Sequence, residues 1–282
     1  MGTLVGIFGT THNPLLWRTL QGDVADDLRA TKASFMEFRD RVAGARPDVI
    51  LVVATDHLTQ WFDDNMPAFL VGRSELIPAT FPNEEREFGI PVDMLPGDLG
   101  LARDILTGGL ERGVDFSSSR EFRADHSVYL PYAFLCPDKD IPVVPVFTNA
   151  IAPPFPPARR FVEVGRALRA AIEASPLDRR VVIVASGHLA TEVGGPRQFQ
   201  GAPDPSFDEQ AVRWVADGDV EAMLAELTPA RMLAAGNVTA QFLNFLVAVG
   251  AAEGRPAVHA AGVRSRFASS PFFAWDPPEV RP

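Results

Sequence analysis

Five histidines, His12, His57, His126, His188 and His259, carry most of the chemical range of this chain. Three of them directly follow an apolar run: His12 in LVGIFGTTH, His57 in VILVVATDH and His188 in VVIVASGH. A lone histidine at a strand end is more often a polar surface residue than a ligand. Three of five in one context form a pattern, because α/β sheets bind ligands where the carboxyl ends of parallel strands converge. If the three strands are parallel neighbours, the three imidazoles gather at one edge of the sheet. His126, in FRADHSVYLPYAF, is expected in a polar loop before an aromatic segment. His259, in GRPAVHAAGV, has no polar neighbour and reads as structural.

Imidazole suits Zn, Fe, Cu or Ni, and two histidines with a carboxylate and open positions suit mononuclear non-haem Fe(II). Remaining histidines can act as acid or base, since an unperturbed pKa near ~6.5 allows either role at neutral pH. Asp56 and Asp125, each directly before a histidine, could orient the imidazoles. A purely structural role has equal weight for both. Competing chemistries lack their motifs: there is no GxxxxGK[ST], no HExxH and no GxSxG elbow. The first strand runs into GTTHNP rather than a glycine fingerprint, which leaves dinucleotide binding without support.

These residues must be positioned by alternating strands and helices. TLVGIF (3–8) reads as a short buried strand, PDVILVVATDH (47–57) as a proline-led one, and MPAFLVG (66–72) as another. IPVVPVFTNA (141–150) is a strand whose prolines suggest an edge or strand-start position, and RRVVIVASGH (179–188) is a further apolar strand. Helical spacing appears over 22–44, with Gly44 as a stop signal, over 95–113, and over 156–175. Residues 206–252 read as mostly helical, and 72–91 as a long irregular loop or lid. The proline-rich stretch 151–160 is too short and too embedded to divide the chain. The expected fold is α/β: a single layered domain over 1–282, with a mixed, mostly parallel central sheet flanked by helices.

Composition narrows the function classes. With 282 residues, 46% apolar and 22% charged, the chain can bury a sizeable core. A formal charge of −10 argues against a nucleic-acid or anionic-membrane surface. The single cysteine, Cys136, excludes a disulfide framework and any Cys-rich metal site, and reads as core packing. The N-terminus has no signal-peptide pattern, and runs such as VVIVAS fall far short of the ~20 residues that span a bilayer. The expected location is cytoplasmic.

Several stretches resemble, in order, the class III extradiol ring-cleavage dioxygenases, the superfamily of the protocatechuate 4,5-dioxygenase catalytic subunit. They are THNPLL, ATDHLTQWFDDNMPAFLVG, DHSVYLPYAF, IPVVPVFTNAIAPPFPPARRFVEVGRALRAAIE, VVIVASGHLATEVGGPR and AAGNVTAQFLNFLVAVGA, together spanning roughly 3 to 255. The resemblance implies Fe(II) bound by His12 and His57, with O2 and a small catechol-like or aminophenol-like aromatic as substrates. The family's third ligand is a glutamate, and Gln241 stands in its place. His126 corresponds to a histidine near the substrate that positions or protonates it. The family's other catalytic histidine falls where this chain has Thr191, while His188 lies three residues earlier. That offset moves the imidazole by up to ~10 Å if the loop is extended. A neutral amide weakens ligation and favours recruitment of another group, such as His188, Glu192 or water.

The resulting expectation is a non-haem Fe(II) extradiol dioxygenase with ligands His12, His57 and Gln241 and with His126 and His188 as acid/base groups. Trp61, Phe62, Phe81, Phe199 and Phe207 could line its pocket, and Arg197, Arg159 or Arg160 could hold a substrate carboxylate bidentately. Each of these is also an ordinary core or surface residue. Two other readings stand beside it. One is a diverged member with Zn(II) and hydrolase, lyase or tautomerase chemistry. The other is a metal-free, non-catalytic partner of a paralogous subunit, against which the presence of both His12 and His57 counts. Relatives suggest a homo-oligomer, or a heteromer with such a paralogue.

Overall fold

Four apolar runs become four neighbouring parallel strands, and everything else in the fold is arranged around them. The structure, a computed structural model, describes residues 1–276. Its strands are β1 (Thr3–Thr11), β2 (Val49–Ala54), β3 (Phe69–Gly72), β4 (Leu76–Ala79), β5 (Asp93–Pro96), β6 (Ser117–Ser119), β7 (Val143–Thr148), β8 (Arg180–Gly187), β9 (His259–Arg264) and β10 (Ser269–Trp275). The first five helices are α1 (Leu15–Thr19), α2 (Arg29–Ala45), α3 (Pro82–Phe88), α4 (Leu99–Glu111) and α5 (His126–Leu135). The others are α6 (Ala158–Ala174), α7 (Pro205–Asp217), α8 (Val220–Glu226), α9 (Pro229–Ala235) and α10 (Leu243–Ala251). A 3-10 turn, Thr239–Phe242, precedes α10.

Eight strands form one sheet in the order β6-β3-β7-β2-β8-β1-β10-β9, and β4 pairs with β5 apart from it. β7, β2, β8 and β1 are mutually parallel, with β3 and β10 antiparallel on their flanks. This is the single α/β domain with a mostly parallel mixed sheet that the sequence suggests. The expected boundary at 282 lies outside the described residues.

β2 and β7 are buried at every residue, as strands covered on both faces must be. Leu51, Val53, Val144, Val146 and Ile183 meet a layer built by α4, α6 and α10. Ile50, Val52, Val182, Val184 and Phe272 meet α2 and α5. α6 and α10 touch backbone to backbone. A Cβ on Gly165 would run into the Val247 carbonyl oxygen, and one on Gly250 into that of Val162. Gly187, the last residue of β8, likewise leaves room for the carbonyl of Gln241. These close approaches seat the 239–242 turn against the end of the central sheet.

Several expectations change. β1 runs three residues past 8, to Thr11. The helix expected at 22–44 starts at Arg29 after a 3-10 turn and passes through Gly44, ending where Arg46 adopts φ 47°. β7 is an interior strand despite its prolines. Its recorded pairing with β3 stops at Val71↔Val146, one residue short of Pro145, and Gly72 leaves space for that ring. The 72–91 stretch is not irregular throughout, because it contains β4 and α3. His126 opens α5 rather than lying in a loop, and the Asp125 side chain caps that helix through the Ser127 N–H. The C-terminal hairpin β9–β10, which holds His259, was not foreseen.

No single helix among the described residues is long and apolar enough to cross a membrane. The pair that passes by length, Pro229–Ala235 with Thr239–Ala251, is bent by 114°.

The α6–α10 contact is testable. Gly250→Ala should lower unfolding stability by about 1–3 kcal/mol through overpacking, read from urea denaturation. An unchanged midpoint would mean that the helices do not touch there.

Candidate metal centre

β2, β8 and β1 are adjacent and parallel, and they end in register, with Thr10 beside Ser186, Thr11 beside Gly187, and Val53 beside Ala185. His12, His57 and His188 follow these ends, and one ligand nitrogen from each lies within 4.8 Å of the other two. The His12 and His188 rings are 4.2 Å apart, and His12 and His57 are 5.2 Å apart. His126 joins them from α5, stacked on His57 at 4.2 Å. The structure thus brings four of the five histidines into one cluster. His259 stands apart against Phe38 at 5.3 Å.

Hydrogen bonds fix which nitrogens are free. The Ser186 hydroxyl donates to the Ser127 carbonyl at 2.7 Å, so it accepts from His12 Nδ1, also at 2.7 Å. The proton therefore sits on Nδ1 of His12, and its buried Nε2 has a lone pair and no partner. Asp125 Oδ2 accepts from the His57 backbone N–H at 3.0 Å and from its Nδ1 at 2.7 Å. His57 Nε2 faces Gln241, whose amide nitrogen lies 3.2 Å away. Gln241 Oε1 is a second buried acceptor without a donor. Converging acceptors that no donor satisfies are what a cation site presents, so the residues fit a metal.

Electrostatics agree. Burial, then repulsion from His188, His57 and His126, holds His12 well below its ordinary pKa. Burial and the same kind of repulsion take His188 down to about 3. Both rings are therefore neutral at pH 7, the form that ligates metal. His126 is different. Burial works against its charge, but Glu84 Oε1 accepts from its Nδ1 at 2.6 Å and its backbone N–H at 2.9 Å. With Asp125 adding attraction, its pKa is raised overall.

The remaining candidates separate by what they touch. Asp125 orients His57, whereas Asp56 accepts from the backbone N–H groups of Thr59, Gln60 and Trp61 and so holds its own loop. Thr191 is buried with an unpartnered hydroxyl and lines a cleft with His188 and Phe199. Trp61 lies against Phe147 at 6.4 Å and does not line that cleft. Phe62 is exposed, Phe81 lies under Arg123, and Phe207 is core. Glu192 is engaged by Arg197 rather than turned to the imidazoles, and Arg160 is paired with Glu163. Arg159 borders a separate groove.

Sequence reasoning passed over three residues. Glu84 arrives from α3, inside the stretch read as a lid, and its acidic neighbours disguise it as solvated surface. Asn244 of α10 donates to the Ser186 carbonyl at 2.7 Å and to Thr55 Oγ1 at 3.1 Å, and accepts from Thr148. It ties three strand ends together, and its only sequence signal is a polar residue within FLNFLV. Asp208 of α7 accepts from the Ala190 N–H at 2.8 Å and so pins the loop that follows His188.

A profile of the family described as catalytic LigB subunit of aromatic ring-opening dioxygenase matches residues 6–276. Curated proteins named 2,3-dihydroxyphenylpropionate/2,3-dihydroxicinnamic acid 1,2-dioxygenase are similar to the chain. The one from Photorhabdus laumondii is 27% identical, over 71% of this chain and 60% of its own length. The one from Mycobacterium sp. strain MCS is 32% identical over the same shares, 71% and 60%. That from Mycolicibacterium gilvum is 29% identical over 83% of this chain and 71% of itself. The match thus spans about 60% of the length of the first two. The crystal structure of an uncharacterized protein from Escherichia coli K12 shares the fold, with TM-score 0.63 at 18% identity over 96% of this chain and 99% of that one.

Two outcomes follow from this geometry. Asp125→Asn removes the charge that holds the His57 Nδ1–H, and metal affinity should fall roughly 10–100-fold, measured by competition with a chelator. Undiminished affinity would remove His57 from the ligand set. Burial pushes the Asp208 carboxyl up to about 6. Between its ordinary value near ~4 and that raised value, the folded chain keeps a proton that the unfolded chain has lost. The stability it contributes is thus greatest below the ordinary value and falls as pH rises towards 6. Asp208→Asn, which retains an acceptor for Ala190, should flatten that fall in urea unfolding across this range, and an unaltered slope would refute it.

Proposed function

The chain belongs to the family of the catalytic LigB subunit of aromatic ring-opening dioxygenase, and from that membership we propose that it is an Fe(II)-dependent extradiol dioxygenase that opens a catechol-like ring with O2. The observation that carries this reading is the set of three imidazoles whose ligand nitrogens lie within 4.8 Å, one of them a buried nitrogen with no hydrogen-bond partner. The names of the similar curated proteins, which denote oxygenation of a 2,3-dihydroxyphenyl acid, support it.

His12 and His57 would hold the metal, and their second nitrogens are already committed to Ser186 and Asp125. His188, expected from the sequence as an acid/base group, is a poor proton acceptor when its pKa sits near 3 and is better suited to coordination. Gln241, whose Oε1 is unpartnered, also lies beside this set, and His188 of the loop after β8 would supply a stronger third donor than that neutral amide. When bound, Fe(II) would supply a Lewis-acidic centre for the chemistry of a catechol-like ring with O2. His126, held by Glu84 and biased towards its protonated form, is the imidazole suited to position the ring and donate a proton to it. The cleft beside His188, walled by Leu15, Phe88 and Phe267, would keep bulk water from the reacting ring.

Protein purified without oxygen should contain iron and should consume O2 with a panel of catechols. Zinc without O2 uptake would instead favour non-oxidative chemistry. His188→Ala separates the two roles of that residue: loss of bound metal marks a ligand, whereas intact metal with depressed turnover marks a base. Gln241→Glu should raise Fe(II) affinity, and an unchanged affinity would place that side chain outside the coordination sphere.

A further inference from the structure

Three arginines belong to segments that form the cleft beside His188, yet none of them lines it. Arg197 donates through Nε to Glu192 Oε2 at 2.7 Å and through Nη1 to the Ala234 carbonyl at 3.1 Å. Its Nη2 lies 2.5 Å from the same Glu192 oxygen. Arg266, next to the lining residue Phe267, holds Asp27 with Nε at 2.8 Å and Nη2 at 2.5 Å. Arg18, on the helix that contributes Leu15, reaches towards the carbonyls of Glu85 and Glu87 at 3.5 and 3.4 Å.

Among the described residues, no Lys or Arg lines the cleft itself. Its one charged lining residue is Glu192, which is negative. The walls are Leu15, Phe88, Val193, Phe199 and Phe267, of which Val193 and Phe199 are more than half exposed at 55% and 61%. Two large apolar side chains left open at the rim of an apolar cleft are surface that a ligand substituent would cover. A carboxylate placed there would lose its water, gain no cation and face Glu192.

We propose that the ring taken by this centre carries an uncharged, apolar substituent, as in an alkyl- or aryl-catechol, and that this cleft rejects the carboxylated side chain denoted by the names of its curated relatives. The inference rests on the ring-opening reading and names the substrate class of that site. Phe199 and Val193 contact the substituent, and Glu192 keeps the Arg197 guanidinium engaged outside the cleft lining.

Calorimetric titration of the Fe(II)-loaded protein without oxygen tests this with two ligands of matched length, 3-propylcatechol and 2,3-dihydroxyphenylpropionate. The propyl compound should bind roughly tenfold or more tightly. Phe199→Arg, and independently Val193→Lys, place a cation at the exposed rim and should narrow or reverse that preference. Equal or tighter binding of the propionate to the unaltered protein overturns the inference, as does failure of both ligands to bind. Oxygen uptake is read separately. The expected binding preference without O2 consumption would sink the ring-opening reading and leave the binding class intact.

Discussion

A serine hydroxyl has one proton to give, and the use of that proton at Ser186 organises the site. Because it goes to the Ser127 carbonyl, the hydroxyl faces His12 only as an acceptor, and the imidazole must carry its own proton on Nδ1. The opposite nitrogen is left as a buried lone pair without a hydrogen-bond partner. The constraint is built from the sheet, since Ser186 belongs to β8 and pairs with Thr10 of β1 just before His12. It also reaches α5 through Ser127, so one hydroxyl links two strand ends and a helix N-terminus.

The two carboxylates near the imidazoles do different work because they reach different rings. Asp125 holds His57, and although burial opposes its charge, His57 and His126 keep it well below the usual carboxylate range. Glu84 holds His126 and favours its protonated form. The cluster thereby contains rings biased towards neutrality and one biased towards charge within a few ångströms. A site that must both ligate and shuttle protons needs that division. Asn244 lies beneath it, fastening the ends of β2, β7 and β8 with one amide.

The gathering of His12, His57 and His188 was legible because each follows an apolar run, and parallel neighbours bring such ends together. The helix spacing of α6 and the burial of β8 were equally plain. Other features were hidden for physical reasons. Pro145 argued for an edge strand, but the pairing of β3 ends before it and Gly72 makes room, facts that belong to a neighbouring strand. Glu84 acts across a separation of 42 residues, which no local pattern reports. The role of His188 depended on its burial and its like-charged neighbours, neither of which is written in SGHLATE. The engagement of Arg197 by Glu192 was close in sequence but indistinguishable from a solvated pair until the fold placed both at a cleft.

The position of β1 in the sheet has a temporal side. This strand precedes β8 and β10 in the chain, yet it is paired by β8 on one side and β10 on the other. His12 and the serine that sets its proton are 174 residues apart in the chain. During synthesis one edge of β1 therefore stays open until β8 has emerged, and the other until β10 has. Non-local pairing of this kind is slow and leaves apolar strand exposed meanwhile. The centre at the end of β1 thus waits for strands far down the chain, and a chain lacking the β9–β10 hairpin would expose one edge of the strand that leads to His12.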